Sequence, residues 1–254
     1  MPTSNLSSFF DIMEVISRIK AKSILDVGTG FGKWGFLIRE YFDLRPHKKK
    51  GYDDWSLKLD GIEVNEKYIT PVHNYIYNHI FIGEALDILS NNNLYYDLIL
   101  ALDIVEHFSK EDGMKFITLC RNRSDFVFLN TPNIYYKIQN EYFNQHMEHK
   151  SGWDADDLTK MGARYVWHSG IYVLAVFTEH DLNLPLESNI QEYNFEETDL
   201  IKIRELIQMY YGTSQIRECL EACEKFSKIF PDDGEIRNMI ALCQKKMDGI
   251  DKTR

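Results

Sequence analysis

A glycine-rich turn between an apolar strand and a helix constrains the fold of this chain more than any other feature. The run Asp26-Val27-Gly28-Thr29-Gly30-Phe31-Gly32 follows the apolar residues SIL, and a helical pattern begins directly after it. Glycines in such a turn let the backbone bend tightly and approach a ligand closely, and the helix that follows presents unpaired N–H groups. The G-x-G-x-G spacing is weak alone, but this context favours a ligand-binding loop over a plain turn.

Apolar runs typical of strands alternate with amphipathic segments typical of helices, and a hairpin completes the pattern. The predicted strands are 23–28, 57–64, 79–85, 96–105, 125–130 and two strands within 163–179 that meet at Ser169-Gly170. The predicted helices are 6–20, 32–42, 66–78, 110–122 and 154–162. This order predicts an α/β fold with a doubly wound, seven-stranded, mostly parallel sheet, as in Rossmann-like proteins.

The pattern changes after the hairpin, which predicts a second, helical part. Residues 1–180 contain the alternating strands and helices, 181–198 are polar and irregular and predict a linker, and 199–254 are purely helical. The 254-residue chain has 29 Lys and Arg against 39 Asp and Glu, a net charge of -10. Because 199–254 carries ten basic and ten acidic residues, the whole negative excess lies in 1–198. That charge disfavours nucleic acid as a partner.

The composition is that of an ordinary globular protein, with 44% hydrophobic and 27% charged residues. The apolar runs are far shorter than a membrane span, and the first twenty residues lack the pattern of a secretory signal. The chain has four cysteines, which do not indicate a disulfide framework, and Cys219 and Cys223 fit helix core positions better than zinc ligands. We therefore expect a reduced, cytoplasmic protein with no membrane partner.

Titratable residues at the ends of two predicted strands are candidates for chemistry. Glu63 closes the second strand, where an acid in dinucleotide-type folds accepts both hydrogen bonds of a ribose diol. The sequence Asp103-x-x-Glu106-His107 lies where the fourth strand ends, at the edge of the sheet where ligands bind. A histidine there has a suitable pKa for removing a proton from an acceptor, although a packing role for His107 explains the pattern equally well.

The successive motifs resemble those of class I S-adenosylmethionine-dependent methyltransferases over about residues 20–180. They read LDVGTGFGKWG, GIEVNEKYI, IGEALDIL and YDLILALDIVEHF. The resemblance implies that the glycine loop holds the methionine part of S-adenosylmethionine, that Glu63 binds the ribose, and that residues after the third and fourth strands contact the adenine and the methionine amino group. The cofactor-binding positions are Asp26, Gly28, Thr29, Gly30, Glu63, Val64, Glu84, Ala85, Leu102 and Asp103.

A third segment, after the fifth strand, also matches the family. Asn130-Thr131-Pro132-Asn133 is followed by His149 and Trp153, and similar methyltransferases carry a histidine a few residues before a tryptophan there. We expect His107 and His149 to activate or orient the acceptor, which predicts a hydroxyl of a small molecule or sugar. Tyr135, Tyr136, Tyr142 and Phe143 could form an aromatic wall beside the acceptor or the core of a covering segment.

Two alternatives to this hypothesis remain at the level of the sequence. The D-x-x-E-H motif with a later H-x-E-H also resembles metal-dependent small-RNA 3′-terminal 2′-O-methyltransferases and ubiquinone-pathway O-methyltransferases, whose carboxylates and imidazoles bind a divalent ion. Here the first acid is Asp103 rather than Glu, and either His146 or His149 could be the later ligand. The metal ligands therefore stay unassigned, and a divalent metal is the less favoured interpretation.

The helical segment 199–254 resembles tetratricopeptide-type helical hairpins. About three repeats are usually needed for independent stability, so this segment is expected to pack on the first domain, on a second copy or on a protein partner. The other alternative is a non-catalytic scaffold in which this helical tail recruits the partner. An intact glycine loop and Glu63 argue against that alternative.

Overall fold

The computed structural model describes residues 8–44, 55–133, 146, 148–169, 172–182, 184, 204, 207–208, 211, 216–229 and 231–251. The chain divides into two compact units, Met1–Gln191 and Glu192–Arg254. The predicted linker at 181–198 lies outside the described residues except for Asp181, Leu182 and Leu184.

The first unit is built on a seven-stranded sheet, which confirms the predicted fold class. Its strands are β1 (Ser23–Val27), β2 (Lys58–Glu63), β3 (His79–Ile82), β4 (Tyr96–Leu102), β5 (Ser124–Pro132), β6 (Tyr165–Ser169) and β7 (Tyr172–Phe177), in the order β3-β2-β1-β4-β5-β7-β6. The first five strands are parallel, and β7 is antiparallel to both β5 and β6. The strand order reverses beside β1, where ligands bind in such sheets.

Helices precede and connect the strands of the sheet. They are α1 (Phe9–Ile19), α2 (Lys33–Ile38), α3 (Pro71–Ile76), α4 (Ala85–Asn91), α5 (Lys110–Arg121) and α6 (Ala155–Lys160). Alternate residues of the central strands face opposite layers: Leu98 and Leu100 of β4 join one apolar cluster, and Ile99 and Ala101 join the other. Both faces of β4 are therefore buried, as its continuous apolar sequence predicts.

Two elements differ from the sequence prediction. The helix expected at 66–78 is split into a 3₁₀ turn, Glu66–Tyr68, and α3, because Pro71 occupies the first helical position and Thr70 is extended before it. The strand expected at 79–85 ends at Ile82, and α4 begins at Ala85, a helix that the sequence analysis missed. Glu84 therefore precedes a helix rather than ending a strand.

A buried ion pair lies in the turn that continues the helix after the glycine loop. The predicted helix at 32–42 is α2 followed by a π-helical turn, Arg39–Leu44. The Arg39 guanidinium donates to the carbonyls of Ile76 and Leu57 and to Asp43 Oδ2 at 2.8 Å. Asp43 Oδ1 accepts from the N–H and the hydroxyl of Ser56. The pair thus connects α2 to the end of α3 and the beginning of β2.

The second unit contains two described helices, α7 (Ile216–Ile229) and α8 (Gly234–Asp251). Cys219, Cys223 and Cys243 are free and buried, which agrees with the core positions expected for Cys219 and Cys223. The first part of the predicted helical segment, residues 199–215, lies largely outside the described residues, and the tetratricopeptide-like character of the segment stays a prediction. Among the described residues, no helix is both long enough and apolar enough to cross a membrane.

Candidate active site

The glycine loop is fixed to the neighbouring strand by its backbone. The N–H groups of Gly28 and Thr29 donate to the Ile62 carbonyl at 2.8 and 3.1 Å. Gly28 has a φ of +77°, and a Cβ built there would lie 2.0 Å from Cδ1 of Ile104. Glycine is favoured at this position because its positive φ is strained for other residues, and an added Cβ would also displace the end of the Ile104 side chain.

Glu63 joins the end of β2 to this loop. Its Oε2 accepts from the Gly30 N–H and its Oε1 from the Asn65 N–H, both at 2.9 Å, and the side chain is buried. Each carboxylate oxygen has more than one acceptor site, so both can accept a further hydrogen bond from a ligand. The predicted ribose-binding acid thus lies against the glycine loop, and Val64 follows it, partly buried.

Asp26 lies behind the loop, within β1. Its Oδ2 accepts from the Tyr77 hydroxyl at 2.6 Å. Burial raises the pKa of Asp26 to about 6, the Tyr77 hydrogen bond opposes that increase, and the charge of Glu63 adds to it. Asp26 therefore bonds to a side chain of the segment that follows α3, and the structure places it behind the loop.

His73 is a residue of the site that the sequence analysis missed. Its Nδ1 accepts from the Thr70 N–H at 3.2 Å, and its Nε2 lies 2.9 Å from the Gly30 carbonyl oxygen. Since Nδ1 is an acceptor, Nε2 carries the proton and donates to Gly30. The only sequence signal for this packing is a pair of glycines, Gly35 and Gly61, which leave room for Tyr77 after α3. A Cβ added at Gly35 would lie 2.5 Å from Tyr77 Cζ, and one added at Gly61 would lie 3.3 Å from Tyr77 Cδ1.

Glu84 and Ala85 lie at the beginning of α4. Glu84 is exposed, and its Oε1 lies 3.3 Å from Nδ1 of His146. His146 belongs to the segment that follows β5, so that segment reaches the position predicted to read the adenine edge. The sequence left His146 and His149 as alternative ligands, and the structure separates them, since His149 lies in the cluster with Glu106 and His107.

The ends of β4 and β5 carry buried polar atoms without partners. Leu102 pairs with Asn130 across the two strands, and Asp103 has a φ of +56°. Asn130 Nδ2 donates to Asp103 Oδ1 at 3.1 Å. The other oxygens, Asp103 Oδ2 and Asn130 Oδ1, are buried and have no hydrogen-bond partner. Burial raises the pKa of Asp103 to about 7, and the charge of Lys33 opposes that increase.

A cluster of two imidazoles and a carboxylate follows β4. One ligand atom each of Glu106, His107 and His149 lies within 4.8 Å of the others. The Thr131 hydroxyl donates to Glu106 Oε2 at 2.9 Å, and Glu106 Oε1 is buried without a partner. Burial, and then the charge of Asp103, raise the pKa of Glu106 well above its ordinary value. The two predicted histidines are thus brought together, with Glu106 as a third member.

The ring of His107 is oriented by a backbone carbonyl. Its Nδ1 lies 3.2 Å from the Glu148 carbonyl oxygen, so Nδ1 carries the proton and Nε2 keeps a lone pair. Burial lowers the pKa of His107, which favours the neutral ring. The rings of His107 and His149 meet edge to face, with centroids 5.0 Å apart.

Several contacts fix the segment that carries His149. The N–H groups of Lys150 and Ser151 donate to the Glu106 carbonyl at 2.7 and 3.2 Å. The Lys110 ammonium lies 3.8 Å from the centre of the Trp153 ring and donates to the Gly152 carbonyl. The Trp153 ring also covers Gly113 of α5, where an added Cβ would lie 2.4 Å from Cζ2. The predicted aromatic wall at Tyr135, Tyr136, Tyr142 and Phe143 lies outside the described residues.

Comparison with solved structures identifies the fold. The DhpI–SAH complex is 10% identical in sequence, with a TM-score of 0.51 over 67% of this chain and 84% of that chain. A methyltransferase domain of bacterial CtHen1 is 17% identical, with a TM-score of 0.46 over 68% and 98%. A SAM-dependent methyltransferase from Archaeoglobus fulgidus is 19% identical, with a TM-score of 0.46 over 79% and 84%.

No family model and no curated protein matches the sequence. The structural similarity therefore stands for the fold alone. The strand order, with its antiparallel β7 inserted between β5 and β6, is that of the Rossmann-like methyltransferases. The chain has the Rossmann-like methyltransferase fold.

Proposed function

We propose that this chain transfers a methyl group from S-adenosylmethionine to a hydroxyl oxygen of a small molecule or sugar. The proposal rests on the position of two groups of residues at the same edge of the sheet. The glycine loop bonded to Glu63 and the cluster of Glu106, His107 and His149 both follow parallel strands at the carboxyl edge of the sheet. The DhpI structure, which has the same fold, is a complex with SAH, and this supports the same cofactor here.

The residues beside the glycine loop fit S-adenosylmethionine. Both oxygens of Glu63 can accept from a ribose diol while they stay bonded to Gly30 and Asn65. The Thr29 hydroxyl, in the same loop, is buried without a partner, which is costly unless a ligand bonds to it. S-adenosylmethionine supplies a methyl group on a sulfonium, which an acceptor oxygen displaces in line. The chain then has to bind, align and deprotonate the acceptor.

His107 is the residue best suited to take the acceptor proton. Its lowered pKa keeps the ring neutral, and its Nδ1 is already bonded to the Glu148 carbonyl, so Nε2 is the basic atom. His149 lies against it and would orient the same hydroxyl. A neutral imidazole with a pKa near the working pH is an efficient general base.

A divalent ion bound by the same cluster is a second candidate for activating the acceptor hydroxyl, and a specific observation favours it. One carboxylate oxygen of Glu106 and two imidazole nitrogens form an N₂O donor set suited to a transition-metal ion. Hydrogen bonds from Thr131 to Glu106 and from His107 to Glu148 are the outer contacts that metal ligands usually make. A divalent ion held there would lower the pKa of the acceptor hydroxyl.

The first experiment is a calorimetric titration of the full chain with S-adenosylmethionine and S-adenosylhomocysteine. Micromolar binding to the wild type is the expected result. Glu63→Gln should weaken both ligands, since it removes charge from the ribose contact, and Glu66→Gln, on the exposed 3₁₀ turn, is the matched control. If the wild type bound neither ligand, the scaffold alternative would replace the enzyme.

The metal is tested separately by titrating Mn²⁺ and following its electron paramagnetic resonance signal. If the ion binds in the cluster, His149→Ala and His107→Ala should each lower the Mn²⁺ affinity at least about tenfold. His79→Ala, on the exposed edge of β3, is the control and should not change it. Equal affinity in all three variants would leave His107 as a metal-free base.

The acceptor is tested by transfer of labelled methyl from S-adenosylmethionine to two panels. Hydroxylated small molecules and sugars form one panel, and short RNAs with free 3′ ends form the other. We expect transfer to the first panel, because the excess negative charge of 1–198 repels a polyanion. Methylation of RNA ends, blocked by a 2′-deoxy terminus, would instead support the metal-assisted RNA enzyme.

A further inference from the structure

A short part of the chain after β5 contacts two different regions of the site. Its described residues, 146 and 148–151, are called the connecting stretch here. At one end, Nδ1 of His146 lies 3.3 Å from Oε1 of Glu84, directly before α4. Three residues later, His149 lies in the cluster with Glu106 and His107. Three residues of extended chain span at most about 10 Å, so the stretch joins the beginning of α4 directly to the cluster.

The cluster end of the connecting stretch is fixed by its backbone. The Glu148 carbonyl accepts from Nδ1 of His107 at 3.2 Å. The N–H groups of Lys150 and Ser151 donate to the Glu106 carbonyl at 2.7 and 3.2 Å. Since Glu106 and His107 are also members of the cluster, the position of this backbone and the geometry of the cluster depend on each other.

The other end of the stretch meets a side chain that does not cap its own helix. Glu84 is the N-cap residue of α4, but its carboxylate makes no capping hydrogen bond, and the side chain is half exposed. An exposed glutamate samples several rotamers and loses side-chain entropy when a ligand fixes it. An imidazole N–H of His146 that bonds to the carboxylate restricts those rotamers before the ligand arrives.

We propose that His146 is a positioning residue that couples the cofactor to the cluster. It orients the Glu84 carboxylate for the adenine edge, and the bound cofactor in turn restrains the stretch that carries His149. The coupling rests on the proposed function, which places S-adenosylmethionine beside Glu84. Such coupling is reciprocal, so the acceptor binds more tightly to the complex with the cofactor than to the free protein.

The exposure of the pair sets the size of the effect. Partly exposed pairs of this kind change an equilibrium constant by about two- to fivefold. We therefore expect His146→Ala to weaken S-adenosylhomocysteine by about that factor in a calorimetric titration. Glu84→Gln should weaken it at least as much, and the double variant should be no weaker than Glu84→Gln alone, because both substitutions break the same contact.

The cluster end is tested by amide hydrogen exchange of the full chain, with and without saturating S-adenosylhomocysteine. The N–H groups of Lys150 and Ser151 are the reporters, because both bond to the Glu106 carbonyl. The bound ligand should slow their exchange about two- to fivefold in the wild type and leave it unchanged in His146→Ala. His79→Ala, on the exposed edge of β3, is the control and should keep the protection of the wild type.

The outcomes separate this coupling from the proposed function. If S-adenosylhomocysteine binds to the wild type but slows the two amides equally in His146→Ala, or not at all, the coupling is wrong while the function stands. Additive effects of His146→Ala and Glu84→Gln on the affinity would also contradict the coupling. If the wild type does not bind the ligand, both fall. Loss of the added protection in His146→Ala, with unchanged thermal unfolding, supports the coupling.

Discussion

The Nε2 nitrogen of His73 lies 2.9 Å from the carbonyl oxygen of Gly30, so α3 holds the glycine loop through a buried imidazole. The loop thereby has three supports: the Ile62 carbonyl, the Glu63 carboxylate and this histidine. Neither of the first two depends on α3. His73 is therefore one link between the loop and the crossover that joins β2 to β3, beside the ring contact of Phe31 with Tyr68.

His73→Ala should destabilise the protein and loosen the loop. The variant loses a buried hydrogen bond and leaves a cavity, which together cost about 2–3 kcal/mol. His73→Gln, whose amide can still donate to Gly30, should lose less. Urea unfolding gives the stability, and calorimetry with S-adenosylhomocysteine gives the affinity. Wild-type stability and affinity in His73→Ala would refute the role, and the exposed His79→Ala is the control.

Gly113→Ala should disturb the acceptor side of the site from a distance. The new methyl would meet the Trp153 ring, a rigid group that cannot turn away cheaply, so we expect a loss of about 1–3 kcal/mol. The segment that carries His149 would shift with Trp153, so any Mn²⁺ affinity should fall too. Gly234→Ala is the matched control, because an added Cβ there meets nothing within 4 Å. Equal unfolding curves for both variants would contradict the prediction.

The raised pKa of Asp26 predicts a pH dependence of stability. In the folded protein this carboxyl has a pKa of about 6 against an ordinary 3.8, so the folded state binds the proton more tightly. Its contribution to the free energy of unfolding is therefore full below pH 3.8 and is lost as the pH rises through 6. The total loss is at most about 3 kcal/mol.

The measurement is the difference in unfolding free energy between the wild type and Asp26→Asn at several pH values. Subtracting the unfolding free energy of the variant cancels the contributions of the other carboxyl groups. From pH 4 to pH 7 the wild type should lose stability relative to Asp26→Asn. A difference that stays constant or changes in the opposite direction would show that Asp26 is not held in this state.

The Arg39–Asp43 pair predicts a contrast with a surface pair of the same spacing. Arg39→Met leaves a buried carboxylate without its partner, which typically costs about 3–5 kcal/mol. Arg18 and Glu14 form an exposed i,i+4 pair on α1, and Arg18→Met should cost at most about 0.5 kcal/mol. Urea unfolding of the two variants provides the comparison. Similar losses would mean that Asp43 finds another partner.

Local patterns in the sequence predict the sheet and the glycine loop because both are encoded by neighbouring residues. Gly28 and Glu63 are recognisable from the strands that they follow. The role of His73 cannot be recognised in this way, because a histidine in a short helix has no local pattern that distinguishes it from other core residues. Its role depends on contact with the Gly30 carbonyl, which is distant in the sequence. Glu106 was seen as part of a motif, but its contact with His149 depends on how the chain returns after β5.

The double use of Asp43 has a consequence for how this fold tolerates change. One of its oxygens bonds to Arg39, in the turn that leaves α2, and the other bonds to Ser56, where the chain re-enters β2. Asp43 therefore joins the two parts of the chain that flank the ten residues 45–54. Doubling the length of such a loop costs only about 0.6 kcal/mol in closure entropy. A change in the length of residues 45–54 should therefore leave Glu63 in place, because the bonds of Asp43 fix where β2 begins.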